Sequence, residues 1–529
     1  MSEQVLVEKL AGLGPEIAMG CGGCLCLLTG LWPVTAIRKL TRLVAALTLI
    51  VAGQCIDRSG EMSGNSAAIG PGLAVFVKWA IVLVGLLLLM VVSAVPGRWE
   101  EHQEPFEPSN SLQGEFFAFF LFSLTGAMLC AGANDLVWLF LALELTSLPT
   151  YVMVATSRNH VDAQEAAVKY FFLGAMAAAI FLYGFSLIYG ATGTTVLFNS
   201  DPTATTVASY ISNLRANGSE LPPLLVTGLL LSLIGIAFKI AAVPMHFYAA
   251  DVYQGAATAV AAFLAFVPKV AGFVSMILLL SVVGWQLPPP IMWTLWVMAA
   301  LTMTVGNVLG MLQTNVKRVL AYSSVAHSGY MLVGLVAGPS MRGGGETIGE
   351  GLAAVLFYLV AYGLATLGCF AALGSLRTSN TEAQTYDDLS GLATRCPWLT
   401  AILTLSVLSL IGLPPLVGFL GKIYLFGSAI EHGYVVLVVI AVLNTAVSAV
   451  YYLRIVGSCY FGSDQGRTQL AATPSRYVAA LVAAIAVLAL GFVGGWLVDA
   501  ARESSAQANI FRVVESPATE LAQDKEPGP

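Results

Sequence analysis

Three lysines and one glutamate lie deep in apolar sequence: Lys239 in IAFKIAAVP, Lys269 in FVPKVAGF, Lys422 in FLGKIYLF and Glu144 in DLVWLFLALELTSLPTYV. An ammonium at the centre of a membrane costs on the order of 3 kcal/mol, so three of them cost roughly as much as a whole domain's net stability. Packing gives no reason to keep such groups, whereas proton exchange does. A desolvated lysine releases its proton readily and takes it back when a carboxylate or water approaches, while arginine stays charged. A contact between Glu144 and Lys239 that opens and closes would alternately hold and release a proton. From Lys239 the proton could pass through water and His246 or Lys269 toward Lys422. His327, in LAYSSVAHSGYM, is a further protonatable group at that depth. The plainer alternatives are a static Glu144–Lys239 pair locking two helices, and packing roles for the two histidines. Lys169, in AAVKYFFLG, stands early in its apolar run, either buried or near the interface. Lys78 opens another run, where a stem reaching toward the headgroups explains it.

The elements that would hold these groups are membrane helices. The chain has 529 residues, 57% hydrophobic and 10% charged, with a mean hydropathy of +0.81, far from the soluble norm of about 25% charged. Apolar runs of about 20 residues recur throughout, the length of a membrane-crossing helix and about twice that of a barrel strand. An all-α integral membrane fold of about fourteen spans follows, at 16–36, 42–56, 72–95, 114–132, 134–156, 165–190, 222–248, 253–282, 290–311, 317–338, 350–374, 398–430, 433–461 and 475–499. Loops after odd-numbered spans carry most basic residues, Arg38, Lys39, Arg158, Lys317, Arg318, Arg395 and Arg476 among them; the alternate loops carry only Arg58, Arg215 and Arg342. The positive-inside rule then sets both termini on the non-cytoplasmic side. The opening MSEQVLVEKLAGLG lacks the basic start of a cleaved signal, so the first span is expected to be retained.

An internal repeat organises the spans. Ser232-Leu233-Ile234-Gly235 recurs as Ser409-Leu410-Ile411-Gly412, about 177 residues or five spans later. Five is odd, so the copies must run with opposite topology, as in many transporters. Prolines interrupt both long spans, at Val243-Pro244 and at Leu413-Pro414-Pro415, so the seventh and twelfth helices should be discontinuous. The resulting units are 1–110 with three helices, 111–285 as the first repeat (helices 4–8), 286–465 as the second, inverted one (helices 9–13), and 466–529 with the last helix and a polar tail expected to be disordered. The loops 191–221 and 375–397, the latter with Asp387 and Asp388, are connectors too small for a catalytic domain.

Other chemistries are excluded by what is missing. The net charge of −6 forms no basic run, so nucleic acid is not a partner. Cys21, Cys24 and Cys26 form a C-x-x-C-x-C cluster without a matching pair, which reads as helix filling. No Gly-rich dinucleotide fingerprint, cluster-binding cysteine set or haem histidine pair is present, so no cofactor or metal is expected on this chain.

Four stretches, ELTSLPTYV (144–152), AFKIAAVPMHFYAADVYQGA (237–256), KRVLAYSSVAHSGYMLVG (317–334) and GLPPLVGFLGKIYLF (412–426), resemble the antiporter-like membrane subunits of respiratory complex I, the subunit N group most closely. The similarity spans about residues 110–465; YAADVYQGAATAV departs from it, lacking a tryptophan before the aspartate and prolines after Gly-Ala. Subunit M would carry a glutamate at Lys422, and subunit L a long lateral helix. The resemblance implies fourteen helices with inverted repeats and a proton-translocating role within an NADH-quinone oxidoreductase, driven by quinone reduction elsewhere. It assigns Glu144, Lys239, Lys269 and Lys422 to the proton path by position, and His246 and His327 match family histidines. Quinone, NADH, FMN and Fe–S clusters would then belong to partner subunits, in a bacterial-type inner membrane. A multisubunit cation/proton antiporter, which shares this fold and these charges, is the alternative; a purely structural scaffold would not explain the buried charge.

Overall fold

The computed structural model describes residues 12–32, 35–62, 71–92, 113–158, 161–199, 204–341, 347–348, 350–378, 382–463, 468–470 and 474–506. Nearly all regular structure in them is helical. The first three helices are α1 (Gly14–Gly30), α2 (Thr35–Met62) and α3 (Pro71–Val92). A first group follows with α4 (Gln113–Ala131), α5 (Leu136–Thr156), α6 (Val161–Thr192), the short α7 (Val207–Ala216), α8 (Pro223–Ala237), α9 (Ala249–Gly255) and α10 (Thr258–Val282). The second group comprises α11 (Pro289–Met311), α12 (Val316–Ala337), α13 (Glu350–Gly374), α14 (Leu392–Arg395), α15 (Pro397–Ile411), α16 (Val417–Glu431) and α17 (Val435–Phe461), and α18 (Pro474–Val493) and α19 (Gly495–Ala506) close the chain. Two small antiparallel pairs, β1 (Ser340–Met341) with β2 (Thr347–Ile348) and β3 (Leu376–Thr378) with β4 (Thr468–Leu470), tie loops together.

Among the described residues ten helices are long and apolar enough to cross a membrane, and Leu40–Ile56, α8 and α15 are shorter apolar helices. Fourteen full-length spans are therefore not what helix length shows. The protein is nonetheless a multi-pass membrane protein: Val435, Val436, Val439, Val442 and Leu443 on α17 all face outward, as apolar side chains can where hydrocarbon or another membrane helix replaces water. The centre is α10, apolar on all sides apart from Lys269 and three hydroxyl residues and with every residue buried, which marks a helix enclosed by other helices. The expected disordered tail lies mostly outside the described residues, while α19 continues helical structure to Ala506. Within the loop 191–221, α7 forms behind a capping box made by Thr206 and Ser209.

Both expected interruptions exist, and the first is wider than one proline. α8 stops at Ala237 and regular helix resumes only at Ala249. Between them the chain makes tight turns, with the Lys239 N–H donating to Ile236 O (2.9 Å) and Ala241 in the left-handed region at φ 54°. In the second, α15 ends on Gly412 at φ 90°, and Pro414-Pro415 leads into α16. Gly418 then lies so close to Ser409 that a Cβ would sit 1.9 Å from its carbonyl oxygen, and only glycine permits that approach.

The repeat shows itself in matched connections as well as sequence. Asp135 caps α5 by accepting from the Val137 and Trp138 N–H groups, and Asn315 caps α12 by accepting from those of Lys317 and Arg318. Each cap residue also forms a β-bridge to the loop after the next helix, Asp135 with Val196 and Asn315 with Thr385. Packing repeats too: α10 lies against α4, α5 and α8, and α17 lies against α11, α12, α15 and α16.

Candidate proton-path site

Lys239 sits in the turn where α8 ends. Its Nζ donates to Ser147 Oγ (2.6 Å) and is ion-paired with Glu144 Oε1 (3.1 Å), both on α5. Glu144 and Ser147 are three residues apart and share one helix face. The rings of Phe181 and Phe238 lie 5.6 and 5.9 Å from the same ammonium. Lys239 is buried, whereas the Glu144 side chain keeps 17% exposure on the outer side of α5.

The broken backbone supplies the next link. Helix interruption frees the Ile240 carbonyl, and Lys269 Nζ from α10 donates to it (3.0 Å) as well as to Ser324 O (2.7 Å) and Ser328 Oγ on α12. Ser328 Oγ donates to the same Ile240 carbonyl. Ser324 Oγ accepts from the Tyr362 hydroxyl (2.8 Å) and meets that of Tyr253 (3.2 Å). His327, in the same turns of α12, has Nδ1 at 2.8 Å from the Tyr358 hydroxyl and Nε2 at 3.1 Å from that of Tyr452. Beyond it, Lys422 donates to Ile411 O (2.8 Å) and Leu410 O (3.2 Å), two carbonyls freed by the second interruption, and faces the Tyr330 ring at 4.7 Å. Each interruption therefore hands its unused carbonyls to an ammonium.

The remaining candidates stand apart from this line. His246 is buried in the first interruption against the Phe247 ring. Lys169 is half-exposed, pairing with Glu165 (2.8 Å) and Asp251 (3.0 Å). Sequence reasoning missed the hydroxyl partners Ser147, Ser324, Ser328, Tyr358 and Tyr452, although serines at a helical interval around His327 were a usable signal. It also misread Lys78: this side chain is buried and pairs with Glu16 of α1 (2.7 Å) instead of reaching the headgroups, because a carboxylate in the first turn of a neighbouring helix meets it first.

Glu382, in the polar loop after α13, was missed as well. It is buried and ion-paired with Arg158 and with Lys317 (3.5 Å), and it accepts from both the N–H and the hydroxyl of Thr258. Burial alone would push its carboxyl up, but the charges of Lys317 and Arg158 and the Thr258 hydrogen bond outweigh this and bring it down to about 2. Among the described residues no group of three or more His, Cys, Asp or Glu side chains could hold a metal ion.

Residues 133–448 match the profile of the NADH:quinone oxidoreductase/Mrp antiporter transmembrane family. Among curated relatives, a NADH-quinone oxidoreductase subunit N from Herminiimonas arsenicoxydans is 36% identical over 92% of this chain and 96% of its own length. Another from Mycobacterium tuberculosis is 38% identical over 84% of this chain and 79% of its own. Of solved structures, a chain of respiratory complex I from Thermus thermophilus with bound aureothin superposes with TM-score 0.72 at 30% identity, covering 92% of this chain and 98% of that one. A chain of the Mrp complex from a Dietzia species has TM-score 0.74 at 20% identity, covering 98% of this chain and 99% of that one, and shares the fold. With the interrupted helices and their lysines in the matched region, the chain belongs to the NADH:quinone oxidoreductase/Mrp antiporter transmembrane family, and within it to the subunit N group.

Proposed function

We propose that this chain translocates protons as a membrane-arm subunit of an NADH-quinone oxidoreductase, in a bacterial inner membrane with both termini on the non-cytoplasmic side. Quinone, NADH, FMN and Fe–S chemistry belongs to partner subunits, and this chain carries no redox centre. The observation that carries the reading is a line of buried ammonium groups seated on freed carbonyls and hydroxyls: Lys239 on Glu144 and Ser147, Lys269 on Ile240 O, Ser324 O and Ser328, and Lys422 on Ile411 O, with His327 held by the Tyr358 and Tyr452 hydroxyls. A lysine gains and loses charge at low cost when a carboxylate approaches or withdraws, and water can fill the gaps between fixed partners. His246 stands apart from this line in the first interruption, and Lys169 belongs to a half-exposed cluster of ion pairs with Glu165 and Asp251. The test is proton pumping by the intact complex in sealed vesicles. Lys239→Ala is expected to abolish most pumping while the complex assembles; wild-type coupling would overturn the reading. The fold shared with an Mrp complex keeps a cation/proton antiporter in view, and sodium-dependent transport without NADH or quinone would decide for it.

A further inference from the structure

The charged cluster around Glu382 has no part in the path described above, yet it touches both helices of the Lys269 cradle, α10 and α12. Arg158 comes from the end of α5, Thr258 begins α10, Lys317 begins α12, and Glu382 lies in the loop after α13. Lys317 Nζ, with no exposed side-chain surface, also donates to Ala256 O at the junction of α9 and α10. Its neighbour Arg318 donates to Asp251 Oδ1 (2.7 Å) and Gln254 Oε1 (2.9 Å) on α9. Two consecutive basic residues at one helix start of the second repeat thus grip the short helix that follows the interruption in the first.

That grip bears on geometry further in. Tyr253, on α9, puts its hydroxyl 3.2 Å from Ser324 Oγ, and the Ser324 carbonyl is a partner of Lys269. Lys317 and Ser324 are seven residues apart on α12, about 10 Å along the axis, and Thr258 and Lys269 are eleven apart on α10, about 16 Å. α10 is buried along this length and α12 is buried apart from Arg318 and Tyr322, so their starting points set where Lys269 meets Ser324 and Ser328. We propose that Glu382, with Lys317 and Arg158, is a positioning group for proton transfer, a fixed inter-repeat clasp that holds α9, α10 and α12 in the register at which Lys269 reaches its cradle. The proposal rests on the proton-path reading above.

The clasp is distinguishable from mere charge compensation. If Glu382 only neutralises Lys317, removing both charges restores function; if it sets register, neutrality does not help. The experiment compares Glu382→Gln, the double variant Glu382→Gln with Lys317→Gln, and Lys269→Ala in the assembled complex, reading protons moved per quinone reduced. Both Glu382 variants are expected to assemble, reduce quinone and lose roughly tenfold in pumping, within the range that misplacing a reacting group by a fraction of an ångström produces. Wild-type pumping by the double variant overturns the clasp, and so does failed assembly of both Glu382 variants, which would make the residue a folding determinant. Wild-type pumping by Lys269→Ala sinks the underlying reading instead, whatever the Glu382 variants do.

Discussion

Replacing Glu144 with glutamine preserves the volume of the side chain and one acceptor oxygen but deletes the charge 3.1 Å from Lys239 Nζ. Unit charges at that separation attract by about 5 kcal/mol at an effective dielectric constant of about 20. Glu144 is partly exposed, and screening with relaxation around it brings the loss to about 2–3 kcal/mol. The Ser147 hydrogen bond to Lys239 survives the change, so the ammonium keeps one partner. At about 1.4 kcal/mol per tenfold, proton transfer through Lys239 slows by roughly two orders of magnitude. The assay uses intact complex in sealed vesicles energised with NADH, with internal acidification followed by dye quenching and normalised to quinone reduction. Ser147→Ala should give a smaller defect, about 1–2 kcal/mol, and the double variant should be less than additive because both residues act on one nitrogen. Glu144→Gln pumping at the wild-type ratio would refute the claim that this charge gates Lys239.

Glu382, whose carboxyl falls from 4.5 to about 2 on folding, contributes stability on the order of 3 kcal/mol that is present above about pH 4.5 and lost as pH falls toward 2; thermal midpoints measured from pH 7 to 3 should fall for wild type and stay flatter for Glu382→Gln. Ala241→Gly, at φ 54°, should be neutral to slightly stabilising, within about 1 kcal/mol, whereas Ala241→Val should cost more than about 2 kcal/mol because a β-branched residue tolerates that backbone poorly; denaturation of the purified complex reads both. Gly418→Ala, which forces a Cβ to within 1.9 Å of the Ser409 oxygen, should cost more than about 3 kcal/mol and show as lost assembly. Lys169→Ala should change stability by less than about 1 kcal/mol and leave pumping near wild type, since both its ion pairs are solvent-accessible.

Much of the candidate site's geometry was legible because burial of charge is visible in one dimension. Lys239, Lys269, Lys422 and Glu144 stand out in apolar runs, and the prolines near 244 and 414 announce interrupted helices. The pairing of Lys239 with Glu144 was legible, but the partners of Lys269 and Lys422 were not, since Ile240 O, Ser324 O and Ile411 O are backbone groups that any residue carries. The repeat was faint in sequence because its copies preserve roles more than letters: Asp135 and Asn315 differ in type yet cap and bridge alike. Helix length does not confirm the span count where helices are short or interrupted, as α8 and α15 are, because hydropathy does not register where hydrogen bonding stops. Glu382 and Lys317 were hidden for the opposite reason, lying at segment edges where charge is ordinary and only tertiary enclosure makes it unusual.

The peptide unit at Ile240 belongs to the chain immediately beside Lys239 while its oxygen holds Lys269. That oxygen lies in the Ile240–Ala241 peptide unit, one unit beyond the bond that joins Lys239 to Ile240, so a backbone displacement at Lys239 reaches it through a single intervening residue. The two lysines are thus tethered through one intervening residue of non-helical backbone, with no domain between them.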